Sequence, residues 1–253
     1  MGNIRVDMIR HGVTTNNLQG RFGGRLEFPL AEEGRAQLYE LVEKTPYEPV
    51  EKLYISPTIR CRQTARILFP GMGEDGDMVS ARDAGGKSKI ACRSRCAAVA
   101  VRPSKLATVE NLKELFFGDA EGKLAAEVRQ VPDIGAFDNQ ALDFRFPGGE
   151  SMGECLERAV AALDEILSDA AELRLRHVGV ITHSMVLSLL CRYRSCPPLS
   201  GEALYCPNGM GFSFETTLEN WRQTRRFTID RLLPQGAVRP LLSQSPYHHA
   251  DKE

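Results

Sequence analysis

Two histidines, two arginines and a glutamate carry most of the chemistry this chain offers. His11 lies in Arg10-His11-Gly12, directly after the apolar run IRVDMI, and Thr14 and Asn17 follow it. His183 closes a second apolar run as Ile181-Thr182-His183-Ser184. Arg60 follows Ser56-Pro57, and Glu114 precedes Phe116-Phe117-Gly118. A neutral imidazole is a competent nucleophile near pH 7. A phosphoryl group is its natural target here, because the guanidinium fork binds two phosphoryl oxygens at once. Charge that accumulates on those oxygens during transfer needs fixed donors. A carboxyl group beside bulky apolar residues is pushed towards its protonated form, which suits Glu114 as a general acid. Taken alone, Glu114 reads as a surface glutamate. There is no Walker loop and no acidic metal-binding cluster, so the expectation is metal-independent phosphoryl chemistry without a cofactor, balanced by Arg and His.

The elements that must position these groups can be read from apolar spacing. Ile4, Val6 and Met8 alternate as a strand does, and such a strand delivers Arg10 and His11 to the carboxyl edge of a sheet, where open α/β sheets bind ligands. Ala31 to Lys44 reads as a helix with Ala36, Leu38, Leu41 and Val42 on its apolar side, closed by Pro46 and Pro49. Leu53-Tyr54-Ile55 is a short buried strand. Ser56 as N-cap and Pro57 at the first helical position then predict a helix that packs Ile59, Thr64, Ile67 and Leu68. Arg60 falls in its first turn, and a helix N-terminus with an arginine makes an anion site. Arg62 and Arg66 read as solvated charges. Ser151-Met152-Gly153-Glu154 forms a capping box that opens a helix to about Leu173, with Met152, Cys155, Leu156, Ala159, Leu163, Ile166 and Leu167 as packing residues. His177 to Thr182 is the second diagnostic strand, followed by a helix from Ser184 to Tyr193. His177 lies at the wrong end of its strand for chemistry.

Other stretches are less regular. In the loop 18–30, Gly20, Gly23 and Gly24 suit turns, and Gly23 and Gly24 suit close backbone approach to a ligand. Residues 70–108 show no long period. Within them Arg82 to Lys105 is basic, with Asp83 its one acid; it reads either as a lid that attracts an anionic substrate or as a solvated loop. Ala97 to Val101 is a short strand or helical turn inside it. Residues 122–147 read as a short helix and loops of the same covering region. Asn208-Gly209 is a turn, Ser213 to Thr217 and Arg225 to Arg231 read as strands, and a loose tail starts at Pro234. The expected organisation is one domain over 1–233, with a variable, lid-forming insertion at about 71–110, and a tail over 234–253.

The 253 residues, 42% hydrophobic and 26% charged, are ordinary for a globular chain. A net charge of −1 steers it neither to nucleic acid nor to a membrane. The basic run lacks the interleaved aromatics that stack on bases. No signal peptide or membrane span is read at this stage. An odd count of seven cysteines argues for reduced thiols and a cytoplasmic setting. Cys92 and Cys96 are too isolated for a zinc site, and His248-His249 lies in the polar tail. Self-association as a homodimer is left open.

RHGVTTNN, RFGGRLEFPLAEEG, SPTIRCRQTA, LKELFFGDAEG, FPGGES and VITHS, in this order, resemble the histidine phosphatase superfamily, also called phosphoglycerate-mutase-like. The resemblance covers the chain apart from about 71–108 and the tail. It implies a three-layer α/β/α sandwich with a mainly parallel sheet. It implies His11 as the nucleophile that becomes phosphohistidine, with Arg10, Arg60 and His183 on the phosphoryl oxygens. Asn17 and Thr14 would line the pocket, and the backbone near Gly23, Gly24 and Ser184 would touch substrate. Glu114 matches the proton donor. Val13 stands where an acid is common, Ser184 where glycine is common and Ala120 where an aromatic residue is frequent; none of these removes a catalytic group. The resemblance implies a phosphatase acting on a small phosphorylated substrate: a sugar phosphate, a nucleotide-loop precursor of the cobalamin pathway or a phosphoprotein. The mutase alternative lacks its Arg-Arg-Ser-Tyr/Phe-Asp segment here. A silent scaffold is the other alternative, and all four signature groups stand against it.

Overall fold

The computed structural model describes residues 2–72 and 105–235. Six strands form one sheet in the order β3-β2-β4-β1-β5-β6. The strand β1 (Ile4–Arg10) lies beside β4 (His177–Thr182), β4 beside β2 (Lys52–Ile55), and β2 beside β3 (Leu106–Thr108), all parallel. On the other side of β1, β5 (Gly211–Thr216) and β6 (Arg231–Leu233) run antiparallel.

The pleat sorts the strand residues into two cores. Ile4, Val6, Met8, Tyr54, Val178 and Val180 face one layer, where α6 (Met152–Glu172), α7 (Ser184–Tyr193) and α8 (Leu218–Thr224) pack. Ile9, Leu53, Ile55 and Ile181 face the other, under α2 (Glu32–Lys44) and α3 (Ile59–Leu68), while the short α1 (Thr15–Leu18) follows β1 in the chain. This is a three-layer α/β/α sandwich with a mostly parallel sheet. The longest helix, α6, opens on the expected capping box: Ser151 Oγ accepts from Glu154 N at 3.1 Å and Glu154 Oε2 from Ser151 N at 2.7 Å. Its buried face includes every packing residue expected of it. Each large aliphatic side chain there contributes about 1.5–3 kcal/mol of burial.

Several local expectations are corrected. Ala36 is exposed, and Gly34 joins Leu38 as a buried residue of α2, packed so closely that a Cβ at Gly34 would stand 2.1 Å from Val13 O. The third helix starts at Ile59, with Thr58 rather than Ser56 before it, and Ile59 is 39% exposed. Residues 106–108, read within an irregular insertion, form an edge strand of the sheet. The expected strand over Arg225 to Arg231 is confined to β6. Before it stands α8, capped by Thr217 Oγ1 and anchored by the buried Trp221. It has only two buried residues, too few for a visible period. The basic run from Arg82, apart from Lys105, Ala97 to Val101, Cys92, Cys96, His248 and His249 lie outside the described residues. Among the described residues, no helix is long and apolar enough to cross a membrane.

Candidate active site

The register of the parallel pair builds the site. Arg10 on β1 lies opposite Thr182 on β4, so the residues that follow, His11 and His183, leave the sheet side by side. His11 N donates to Thr182 O at 3.0 Å, and the two imidazole centroids are 5.1 Å apart, edge to face. The turn at Asn208-Gly209 fixes the strand end from the other side. Asn208 Nδ2 donates to His11 O at 2.9 Å and Gly209 N to Arg10 O at 3.0 Å. Gly209 sits at φ +76° with Leu38 Cδ2 2.6 Å from where a Cβ would be, so glycine is required there.

Hydrogen bonds set both histidine tautomers. His11 Nδ1 lies 2.7 Å from Gly12 O. A carbonyl only accepts, so Nδ1 carries the proton and Nε2 keeps its lone pair. Burial, then the Arg60 and Arg10 charges, hold His11 well below the usual imidazole pKa, so the neutral, nucleophilic form prevails. His183 is oriented the other way. Its Nδ1 accepts from Arg60 Nε at 3.3 Å, so its Nε2 carries the proton, 2.8 Å from Ser56 Oγ. Burial, followed by Arg60, lowers its pKa too.

Arg60 donates to Leu26 O at 2.8 Å, Gly24 O at 2.6 Å and His183. A guanidinium has about five N–H donors, which leaves about two for a ligand. Arg10 donates to Cys206 O at 2.7 Å, while its buried Nε has no hydrogen-bond partner. Two fixed cations, one with an orphaned buried donor, are what an oxyanion would satisfy. At the N-terminus of α3, Glu27 Oε2 accepts from Ile59 N at 2.7 Å.

Glu114 is 7% exposed. Its Oε1 accepts from Leu115 N at 2.9 Å and from Met185 N, in the first turn of α7, at 3.2 Å. Burial nevertheless dominates and raises its pKa, against those bonds and the Arg60 and Arg10 charges. The segment that carries Glu114 is clamped by Arg158 on α6. Arg158 donates to Asn111 O at 3.0 Å, Glu114 O at 2.9 Å and Lys113 O, and pairs with Glu150 at 2.6 Å. Glu150 in turn accepts from Phe116 N at 2.8 Å.

Arg10, His11, Asn17, Gly23, Gly24, Arg60, Glu114 and Ser184 all line one cavity of about 470 Å³, the size of a small-molecule site. Two expected pocket residues are placed differently. Thr14 is fully buried and does not line the cavity; its hydroxyl donates to Asn17 Oδ1 at 2.7 Å and so holds Asn17 in place. His183 stands behind the cavity wall and reaches it through Arg60 and His11. The sequence reading missed Asn208, taken as a plain turn, and Arg158, one charge among many on a long helix. It also missed the outer wall, where α4 (Ala125–Val128) and α5 (Ile134–Asp138) present apolar side chains. Among the described residues, no three of His, Cys, Asp and Glu are grouped to hold a metal ion.

A parallel-sheet sandwich with paired imidazoles at adjacent strand ends, an arginine from the next helix and a buried glutamate defines the class, and comparison with known families agrees. Residues 6–80 and 91–226 match the model of the histidine phosphatase superfamily (branch 1), and the chain belongs to that family. It is 30% identical over 186 residues to the metal-independent phosphoserine phosphatase of Arabidopsis thaliana, covering 71% of this chain and 64% of that protein. It is 25% identical over 187 residues to phosphoglycerate mutase-like protein 4 of the same plant, covering 72% and 67%. Solved structures with the same fold include phosphoglycerate mutase from Bacillus anthracis, with a TM-score of 0.65 and 17% identity over 90% of this chain and 92% of that one. Another is a mycobacterial glucosyl-3-phosphoglycerate phosphatase, with a TM-score of 0.63 and 19% identity over 90% and 98%.

Proposed function

We propose that this protein is a phosphatase that hydrolyses a phosphomonoester through a phosphohistidine on His11. The observation that carries the reading is the His11 tautomer, whose free Nε2 shares a cavity with two arginines and a protonatable glutamate. In the first step Nε2 attacks phosphorus and the P–O ester bond breaks. Glu114 gives its proton to the departing oxygen, and Arg10 and Arg60 hold the remaining phosphoryl oxygens. In the second step Glu114, now a carboxylate, takes a proton from water. The water oxygen attacks phosphorus, the P–N bond breaks, and inorganic phosphate leaves. His183 orients Arg60, and Asn17 together with the Gly23-Gly24 backbone shapes the phosphate end. No step uses a metal ion.

The sequence similarity to a protein named a metal-independent phosphoserine phosphatase supports this reading. The test is hydrolysis of 4-nitrophenyl phosphate with chelator present. Wild type is expected to turn over and His11→Ala to lose at least 10³-fold, since nucleophile and acid–base groups act as a unit. Equal rates for the two proteins would overturn the proposal.

A further inference from the structure

The cavity lining other than Arg10, His11, Arg60 and Glu114 has a chemistry of its own. Phe22, Phe117 and Phe137 contribute to its wall and lie against one another, with ring centroids 5.0 Å apart for Phe22 and Phe117 and 5.8 Å for Phe22 and Phe137. Met185 adds a polarizable thioether. Charge there is internally matched or turned aside. Arg129 pairs with Asp138, and the Arg192 guanidinium lies 5.7 Å from the centroid of the Tyr193 ring. Gln140 is a polar residue of this lining. It is 7% exposed, donates its amide to Ser188 Oγ and, among the described residues, has no partner for its buried Oε1. Its backbone sits at φ +51° and its main-chain carbonyl accepts from Tyr193 Oη at 2.7 Å, so the backbone that carries the side chain is held in place. An unsatisfied buried amide oxygen is costly, and a ligand donor is what satisfies it.

We propose that the leaving group is an uncharged, ring-sized organic alcohol that stacks against the Phe22, Phe117 and Phe137 wall and hydrogen-bonds to the amide of Gln140, which makes Gln140 a specificity-determining residue. This rests on the phosphatase reading above and names the substrate class of the same site. A site built around a hydrogen bond discriminates against a substrate that lacks the partner, because the site's own group is then left unpaired. A small, doubly anionic ester finds a phosphate cradle at Arg10 and Arg60, while Arg129 is paired with Asp138 and Arg192 lies against the Tyr193 ring.

The experiment measures kcat/KM for benzyl phosphate, its hydroxymethyl-substituted isomers, glycerol phosphate and 2-carboxyethyl phosphate. Most are esters of primary alcohols, and glycerol phosphate is used as its primary ester, so the leaving oxygens are closely matched. A hydroxyl can meet either end of the amide. Benzyl phosphate is expected to exceed the two small esters by about tenfold, from burial of one ring. The best hydroxymethyl isomer is expected to exceed benzyl phosphate by about tenfold, from one buried hydrogen bond. In Gln140→Leu the second ratio should fall to about one. Ratios are taken within one preparation, so a loss of folded protein cancels. Preference for 2-carboxyethyl phosphate would overturn the proposal by making Arg192 the anion receiver. A hydroxymethyl preference that survives in Gln140→Leu would overturn it as well. Phosphoenzyme formation on His11 separates the two levels: with phosphoenzyme and the wrong ratios, only this inference fails, and with neither phosphoenzyme nor turnover of any ester, both fail.

Discussion

At His11 a single backbone carbonyl decides which nitrogen reacts. Gly12 O holds the proton on Nδ1, and the arginines and burial keep the ring neutral. Glu114 is shifted the opposite way, upward, by burial. The productive state needs His11 deprotonated at Nε2 and Glu114 protonated. Activity should therefore fall as pH drops through a His11 pKa below the ordinary imidazole value. It should fall again as pH rises through a Glu114 pKa above the ordinary carboxylate value. The kcat/KM profile of wild type should show both limbs, and Glu114→Gln should lose the basic one. With 4-nitrophenyl phosphate, whose leaving oxygen needs no proton, Glu114→Gln should still phosphorylate His11. It should then hydrolyse the intermediate about 10²–10⁴-fold more slowly. Rapid mixing would show this as a burst of nitrophenol that wild type lacks. The candidate residues were legible in the sequence because they sit at strand ends within an ordered set of family segments. Thr14 and His183, read with them, do not line the cavity, because residue type does not say which side chain reaches its wall.

At the scale of elements, the segment that carries the proposed acid is held by the helix α6. Arg158 spans from α6 to three carbonyls of the Glu114 segment and to Glu150. Arg158→Met should leave those carbonyls without their donor and Glu150 with only Phe116 N and Arg25 as partners. Breaking a largely buried pair of this kind costs about 3 kcal/mol. The expected result is a lower Tm and a fall in kcat with KM little changed, with partial recovery in Arg158→Lys. The KM-against-kcat split separates a positioning effect from general unfolding. Gly34→Ala tests the opposite face. Alanine is better than glycine in a helix by about 1 kcal/mol. Here its Cβ would press on Val13 O, in the loop that follows His11. Thermal melting should therefore show destabilisation despite the propensity gain. Long periodic elements such as α6 were readable from spacing alone. The three-residue β3 and the seven-residue α8 were not, since so few residues set no period and tertiary pairing defines them.

Across the whole molecule, the end of the sheet remote from the site holds a buried charge cluster beside its apolar core. Asp7, fully buried in β1, accepts from Arg5 Nε at 3.0 Å and lies 2.9 Å from His177 Nε2. Burial raises its pKa, but the His177 and Ser213 hydrogen bonds and the charges of His177 and Arg5 outweigh it, and the net shift is downward. A depressed carboxylate contributes stability that is present above its unfolded value and lost as pH falls through its folded value. Melts from pH 7 to pH 3 should show Asp7→Asn less stable than wild type at neutrality, with the gap narrowing in acid. His177, set aside as being at the wrong end of its strand for chemistry, has this structural partner instead. The alternation of Ile4, Val6 and Met8 made the strand legible and the family resemblance implied the three layers, while the sheet order depends on long-range pairing that no local pattern records.

The central claim is covalent transfer to His11. The most direct measurement is acid-sensitive phosphate on the chain after rapid quenching of 4-nitrophenyl phosphate turnover with chelator present, mapped by peptide mass spectrometry. The account predicts phosphohistidine at His11 in wild type, more of it in Glu114→Gln and none in His11→Ala. Turnover by wild type with no phosphohistidine at any quench time, or phosphate mapped to His183 instead, would contradict it.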